Sequence, residues 1–309
     1  MFGVAIQAGD ARAAGAQIAQ AEAAGVQAAW ATMGGAGGVD LMPTFAAALV
    51  QTQRIVLGTA IVHTWTRHPL VLAQEALALE QLAPGRFRLG IGPTSALLIG
   101  RMFGLEYRKP LTNLREYLVT LRALLHDGQV DFKGEHVTVR GRLPATAPVP
   151  VMAAALRPRS YDLCGEASDG AISWMSPLTY LVTTALPAMA AGAERAGRPR
   201  PPLVAHVPVA VSSDRDAVLA LARTQLGMYA RVPNYQGMFG TAGYDVSEGY
   251  PDALLDDLVV SGTEAEVASG LRRWREAGID EVLAQPLLDP ADREGSIARA
   301  FAAVARAGS

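Results

Sequence analysis

The residues best placed for chemistry lie in one stretch, RIVLGTAIVHTWTRHP, residues 54–69. Ile55, Val56, Leu57, Ala60, Ile61 and Val62 form an almost unbroken apolar run, the pattern of a parallel strand covered on both faces. His63, Thr64, Trp65, Thr66 and Arg67 follow where that strand ends. Loops at the carboxyl ends of parallel strands are where α/β proteins place their sites. An imidazole at such a position can move a proton, so His63 is the candidate catalytic residue. His68 precedes Pro69, which opens a helix where its missing N–H costs little, and His68 itself reads as a cap or brace.

The remaining histidines read as structural. His126 ends a helix, where a cation suits the dipole, and His136 lies in a hairpin; both are expected at the surface. His206 sits inside an apolar strand and is expected to be a satisfied core histidine. Carboxylates do not pair at strand ends, and Asp40 is the one acid near the site-side loops of the first half. That argues against a two-carboxylate glycosidase and against a carboxylate-held metal, so no metal is expected. P-loop, H-E-x-x-H and G-x-S-x-G motifs are absent. The loop MGGAGGVD, 33–40, follows a strand but lacks dinucleotide-fingerprint spacing. What gathers at strand ends is apolar and rich in hydroxyls: Thr32, Met33, Trp65, Thr94, Ser95, Trp174, Met175 and Ser176. Such a lining suits a large flat ligand held by stacking and backbone hydrogen bonds.

These positions make sense only if strands and helices alternate. Apolar runs predict strands at 2–6, 26–30, 54–62, 86–92, 150–156, 170–174, 203–211 and 280–287. Helices are expected at 14–24, 43–50, 69–83, 112–126, 157–168, 178–196, 214–229, 263–277 and 291–307. Gly25 suits a C′ position, and Thr263 with Glu266 reads as a capping box. Two stretches break the rhythm. VDFKGEHVTVR, 130–140, has two short alternating runs around Gly134 and predicts an inserted hairpin, and 231–251 is a long irregular excursion. Eight βα units over 309 residues predict a single (β/α)₈ TIM barrel spanning 1–309, with insertions after strands four and seven.

Composition limits the partners. Half of the residues are hydrophobic, 18% are charged and the formal net charge is −2. There is no electrostatic case for nucleic acid or an anionic membrane. No apolar run approaches the roughly 18 residues of a spanning helix, and the amino terminus MFGVAIQAGD lacks the basic start of a signal peptide. One cysteine, Cys164, rules out a disulfide framework. A cytoplasmic enzyme acting on a small molecule is the expectation.

GTAIVHTWTRHP, APGRFRLGIG, GRMFGLEYRKPLTNLREYLVTLRALL and VDFKGEHVTV occur in the order found in the luciferase-like flavin and deazaflavin oxidoreductases. Along nearly its whole length the chain resembles the branch of that superfamily that uses coenzyme F420. The resemblance implies a non-prolyl cis peptide at Ala60-Ile61, bulging against a deazaflavin ring, with the small Thr59-Ala60 pair leaving room. It implies that Gly92, Pro93, Thr94 and Ser95 approach the ring or ribityl chain. Ala154, Ala155, Leu156 and Arg157 would offer N–H groups and a helix N-terminus to a phosphate. Thr32, Met33 and Ser176 join the expected cofactor set from the mouth lining. Two features depart from the sugar-phosphate dehydrogenases of the group: Ser95 stands where they carry Glu, and neither lysine of this chain, Lys109 or Lys133, is near a strand end. Glucose 6-phosphate is therefore not the expected substrate. The expected activity is hydride transfer between F420 and a small apolar unsaturated, carbonyl or imine compound, with a proton from His63, solvent, Tyr229 or Tyr235. An FMN-dependent monooxygenase and a non-catalytic deazaflavin-binding barrel are the alternatives, and a homodimer is expected.

Overall fold

The computed structural model describes residues 1–32 and 39–309; the expected ligand contact Met33 lies outside the described residues. In chain order, β1 (Phe2–Ile6), α1 (Ala11–Ala23), β2 (Ala28–Ala31), α2 (Leu41–Gln51), β3 (Val56–Thr59), β4 (Val62–His63) and α3 (Pro69–Leu82) make up the first part. β5 (Phe87–Gly92), α4 (Ala96–Phe103) and α5 (Pro110–Arg122) follow, then a hairpin of β6 (Gln129–Lys133) and β7 (Thr138–Arg142). Next come β8 (Val151–Ala155), α6 (Pro158–Ala167), β9 (Ala171–Ser173), and α7 (Leu178–Tyr180), which continues through a π turn into α8 (Leu186–Arg195). The last part comprises β10 (Leu203–Val211), α9 (Arg215–Leu226), α10 (Pro233–Thr241), α11 (Asp252–Leu258), β11 (Val260–Gly262), α12 (Glu264–Glu276), β12 (Glu281–Pro286) and α13 (Arg293–Gly308).

The parallel strands close a barrel in the order β1, β2, β3/β4, β5, β8, β9, β10, β12 and back to β1. Two layers of apolar side chains result. Outward-facing residues such as Val4, Leu57, Leu89, Ala153 and Val207 pack under the helices, while Ala28, Trp30, Met152, Ile172, Val204 and Leu283 fill the barrel itself. The Trp30 ring takes the space that a side chain at Gly58 would need. Its Nε1–H donates to Glu281 Oε1 at 2.8 Å, and Glu281 is paired with Arg88. The buried carboxylate is thus neutralised and hydrogen-bonded, as burial requires.

The third strand is not continuous. Leu57 and Gly58 pair with Phe87 and Arg88, and Val62 and His63 pair with Ile91 and Gly92. Thr59, Ala60 and Ile61 therefore face only Leu89 and Gly90, which is a β-bulge. The Ala60–Ile61 peptide within it is cis. Thr59, fully buried, bridges the gap: its hydroxyl donates to the Gly90 carbonyl and accepts from the Gly90 N–H, both at 2.8 Å. Its carbonyl turns toward Gly90 so closely that a Cβ there would collide with it.

The cis bond falls where the resemblance implied it, and differences from the sequence reading are local. The segment after β5 forms α4, capped by Ser95 and closed by Gly104 in a left-handed turn at φ 64°. α11 and β11 lie just beyond the irregular stretch, and β11 adds to β10 outside the barrel. The Thr263–Glu266 capping box is present. Among the described residues, no helix is long and apolar enough to cross a membrane.

Gly90→Ala is expected to destabilise the protein by on the order of 1–3 kcal/mol through overpacking against the Thr59 carbonyl. Urea unfolding checks this; an unchanged midpoint would mean that the backbone does not close up at Gly90.

Candidate active site

The bulge opens at the carboxyl end of the barrel, between the ends of β2, β5 and β8. Ala60 and Ile61 are partly exposed there. Gly92, at the end of β5, keeps the opening wide, because a Cβ on it would stand 2.9 Å from both Ala154 Cβ and Ile61 Cδ1. Thr94, two residues on, has φ 52°, and Met175, just past β9, has φ 55°. Left-handed backbone at residues other than glycine is uncommon and clusters at functional sites. Tyr107 supports Thr94 by donating its hydroxyl to the Thr94 carbonyl at 3.0 Å.

One wall is aromatic. Period-two alternation puts Trp174 and His206 on the inward face with Ile172 and Val204. Their rings meet edge to face at 5.6 Å. Tyr229 packs on Trp174 at 5.7 Å, Tyr235 on Tyr229 at 4.8 Å, and Phe239 and Tyr250 extend the series. The irregular stretch after β10 therefore supplies a wall that hydrophobic pattern alone does not reveal. Burial raises the pKa of both Tyr229 and Tyr235, so both are neutral hydrogen-bond donors at neutral pH. On the other side, Trp65 stacks on Tyr107 at 5.3 Å and meets the His136 ring at 5.4 Å.

His63 closes β4 and is 5% exposed. Its Nδ1 is buried with no hydrogen-bond partner among the described residues, as are Trp65 Nε1 and Trp174 Nε1. Burial lowers the His63 pKa, so the ring is neutral at pH 7. His68 caps α3 as expected, with Nδ1 accepting from Leu70 N at 3.3 Å. His206 is a satisfied core histidine: Nδ1–H donates to the Ser173 carbonyl at 3.1 Å. His126 and His136 are less exposed than expected. The first is half-buried against the Val149 carbonyl at 2.9 Å, and the second is half-buried under Trp65.

The expected cofactor residues divide. Ala60, Ile61, Gly92, Pro93, Thr94 and Ala154 come together around the bulge, and Thr32 stands exposed at the end of β2. Four others do not present side chains to that opening. Thr59 is fully buried and spent on Gly90. Ser176 is 1% exposed, with its hydroxyl donating to the Trp174 carbonyl at 3.3 Å. Ala155 packs under the helices, one residue out of phase with Ala154. Ser95 caps α4, accepting from Leu98 N at 3.3 Å. The N–H groups of Leu156 and Arg157 also differ from expectation: both donate to Ser160 Oγ at 3.0 Å rather than facing outward. What the end of β8 offers an anion is the exposed Arg157 guanidinium, which lies where a side chain on Gly237 of α10 would otherwise stand.

A cleft of about 490 Å³ lined by Phe2, Gly25, Gln27 and Glu264 lies at the opposite, amino-terminal end of β1 and β2. The bulge, the orphaned polar atoms and the aromatic wall are all at the carboxyl end, where barrel enzymes keep their chemistry. Among the described residues, no three His, Cys, Asp or Glu side chains are grouped to hold a metal ion.

Residues 2–281 match the model of the luciferase-like monooxygenase family. The chain belongs to that family. It is 25% identical over 274 residues to a 5,10-methylenetetrahydromethanopterin reductase of Methanolobus tindarius, covering 81% of this chain and 83% of that protein. It is 34% identical over 186 residues to an F420-dependent glucose-6-phosphate dehydrogenase of Mycolicibacterium fortuitum, covering 57% and 55%. In structure it resembles an F420-dependent secondary alcohol dehydrogenase solved with an F420–acetone adduct, with a TM-score of 0.82 and 20% identity over 99% of this chain and 98% of that one. The likeness to that structure shows the barrel fold.

His206 makes the protein acid-sensitive. Its pKa falls from 6.5 to about 4 on burial, although the Ser173 bond pulls the other way. Below pH 6.5 the unfolded chain binds a proton that the native one does not, so stability is full above pH 6.5. It drops by about 1.4 kcal/mol per pH unit down to about pH 4. Urea unfolding at several pH values should show this slope, and His206→Gln should remove the share owed to this residue; an unchanged slope in the variant would contradict it.

Proposed function

We propose that the protein is a coenzyme F420-dependent oxidoreductase that transfers a hydride between the deazaflavin and a small apolar unsaturated, carbonyl or imine substrate. The observation that carries this reading is the bulged third strand, which opens between the small residues Gly92 and Ala154. A flat ring needs such a gap, and the kinship to F420-dependent enzymes supports the choice of ring.

The residues present fit that group. Ala60, Ile61, Gly92, Pro93, Thr94 and Ala154 would hold the ring by contact, Thr32 would meet its edge, and Arg157 would pair with a phosphate. Bound there, the deazaflavin supplies a two-electron hydride carrier. The chain's own contribution is to exclude water with the Trp174–Tyr229–Tyr235 wall, to orient the substrate, and to handle one proton. When a hydride leaves or reaches the substrate carbon, the atom at the other end of the double bond (oxygen, nitrogen or carbon) must shed or gain a proton. His63 Nδ1, neutral and without a partner among the described residues, is the group assigned to it. The aromatic, uncharged wall favours an apolar substrate over a sugar phosphate, in keeping with the absence of lysine at strand ends. The reading extends to a homodimer in the cytoplasm; the exposed Val50 of α2 and Val71 and Leu82 of α3 support a subunit contact.

Paired fluorescence titrations of the purified protein with F420 and with FMN test this. Preference for F420 is expected; preference for FMN would move the reading to oxygen chemistry, and binding of neither would remove it. His63→Ala is expected to slow turnover about a hundredfold with F420 affinity nearly unchanged. Equal loss of affinity and turnover would return His63 to a structural role.

A further inference from the structure

Helix α5 carries a polar face that the proposed chemistry does not use. Glu116, 8% exposed, accepts backbone hydrogen bonds from Glu135, His136 and Val137 at 2.7, 2.8 and 2.9 Å. Those three residues form the tip of the β6–β7 hairpin. Gly134 belongs to the same arrangement, since a side chain there would run into the Glu116 carboxyl group. Burial alone would raise the Glu116 pKa, but the three N–H donors outweigh it and hold it low. The carboxylate is the fixed point around which the tip folds.

The tip carries His136, and its ring packs edge-on to Trp65, 5.4 Å between centroids with the planes at 77°. The same helix reaches the same loop directly. Thr64 donates its hydroxyl to Asn113 Oδ1 at 2.6 Å, and Tyr117 donates to the Arg67 carbonyl at 2.9 Å. From the hairpin side, His68 Nε2 lies 3.3 Å from the Thr138 carbonyl. The loop that follows His63 is thus gripped between α5 and a hairpin that α5 itself holds in place.

We infer that Glu116 is a positioning residue, acting through the hairpin tip and His136 to fix Trp65 and the 63–68 loop at the barrel mouth. Its consequence for catalysis rests on the reading of that mouth as the active site; the mechanical coupling does not. A hairpin inserted into the barrel thereby becomes a support for the site rather than an ornament of the surface.

Hydrogen exchange followed by mass spectrometry tests the coupling without any cofactor. In Glu116→Gln, exchange is expected to rise at least about tenfold in both 134–138 and 63–68, since hydrogen bonds to a charged acceptor are lost. In His136→Ala it is expected to rise in 63–68 while the tip stays protected, and His136→Phe, which keeps a ring against Trp65, should restore protection. A tip that opens in Glu116→Gln while 63–68 stays protected would overturn the inference, leaving Glu116 a structural residue of the hairpin. So would unchanged exchange in both segments. If Glu116→Gln does not fold, the His136 pair decides: no rise in His136→Ala, or no rescue by Phe, overturns it. Coupled exchange in a protein that binds neither F420 nor FMN would keep this inference and remove the proposed function. F420 binding with uncoupled exchange would do the reverse.

Discussion

The mouth of this barrel depends on one mismatch, in which three residues of the third strand face two of the fourth. A closed barrel leaves no solvent edge where an unpaired peptide group could find water, so an extra residue must be accommodated from within. Thr59 does this. Its hydroxyl serves both the N–H and the carbonyl of Gly90, replacing ladder bonds that the bulge interrupts. Glycine at 90 and at 92 supplies the space, one for the Thr59 carbonyl and the other for Ile61 and Ala154. Threonine and two glycines at the seam let the strand swing outward and resume at Val62.

The walls around that opening are built from elsewhere. α5 and the hairpin brace the loop with Trp65, while the chain beyond β10 lays Tyr229 and Tyr235 over Trp174. Neither wall uses residues of the barrel strands apart from Trp174's neighbour His206. This division fits a scaffold whose strands fix the floor of the site and whose loops set what it accepts. It also explains why the polar inventory is thin: orientation comes from ring packing, and the atoms at His63 and Trp174 that have no partner among the described residues are buried, where each counts for more.

Much of the fold is legible in the residues. The strand at 203–211 follows directly from its apolar run, and the helix beginning at Thr263 from its capping box, because both signals are local. The bulge is not local. Apolar residues run from Ile55 to Val62 with little sign of a break, and only the family resemblance pointed to Ala60-Ile61. Alternation sets orientation along β8: Met152 inward makes Ala154 inward and Ala155 outward. Ser95 and Ser160 turn their hydroxyls to backbone N–H groups at the starts of α4 and α6, the common fate of hydroxyls near helix starts. The packing of His136 on Trp65 joins residues far apart in sequence, and no pattern within either segment encodes it.

The central claim is that the opening at the bulge receives the flat ring. A crystal structure of the protein with bound F420 tests it most directly. The ring is expected in contact with Ala60 and Ile61, bordered by Gly92 and Ala154, with His63 facing the substrate side. A ring bound anywhere else, such as the cleft beside Phe2 and Gln27 at the other end of the barrel, would contradict it.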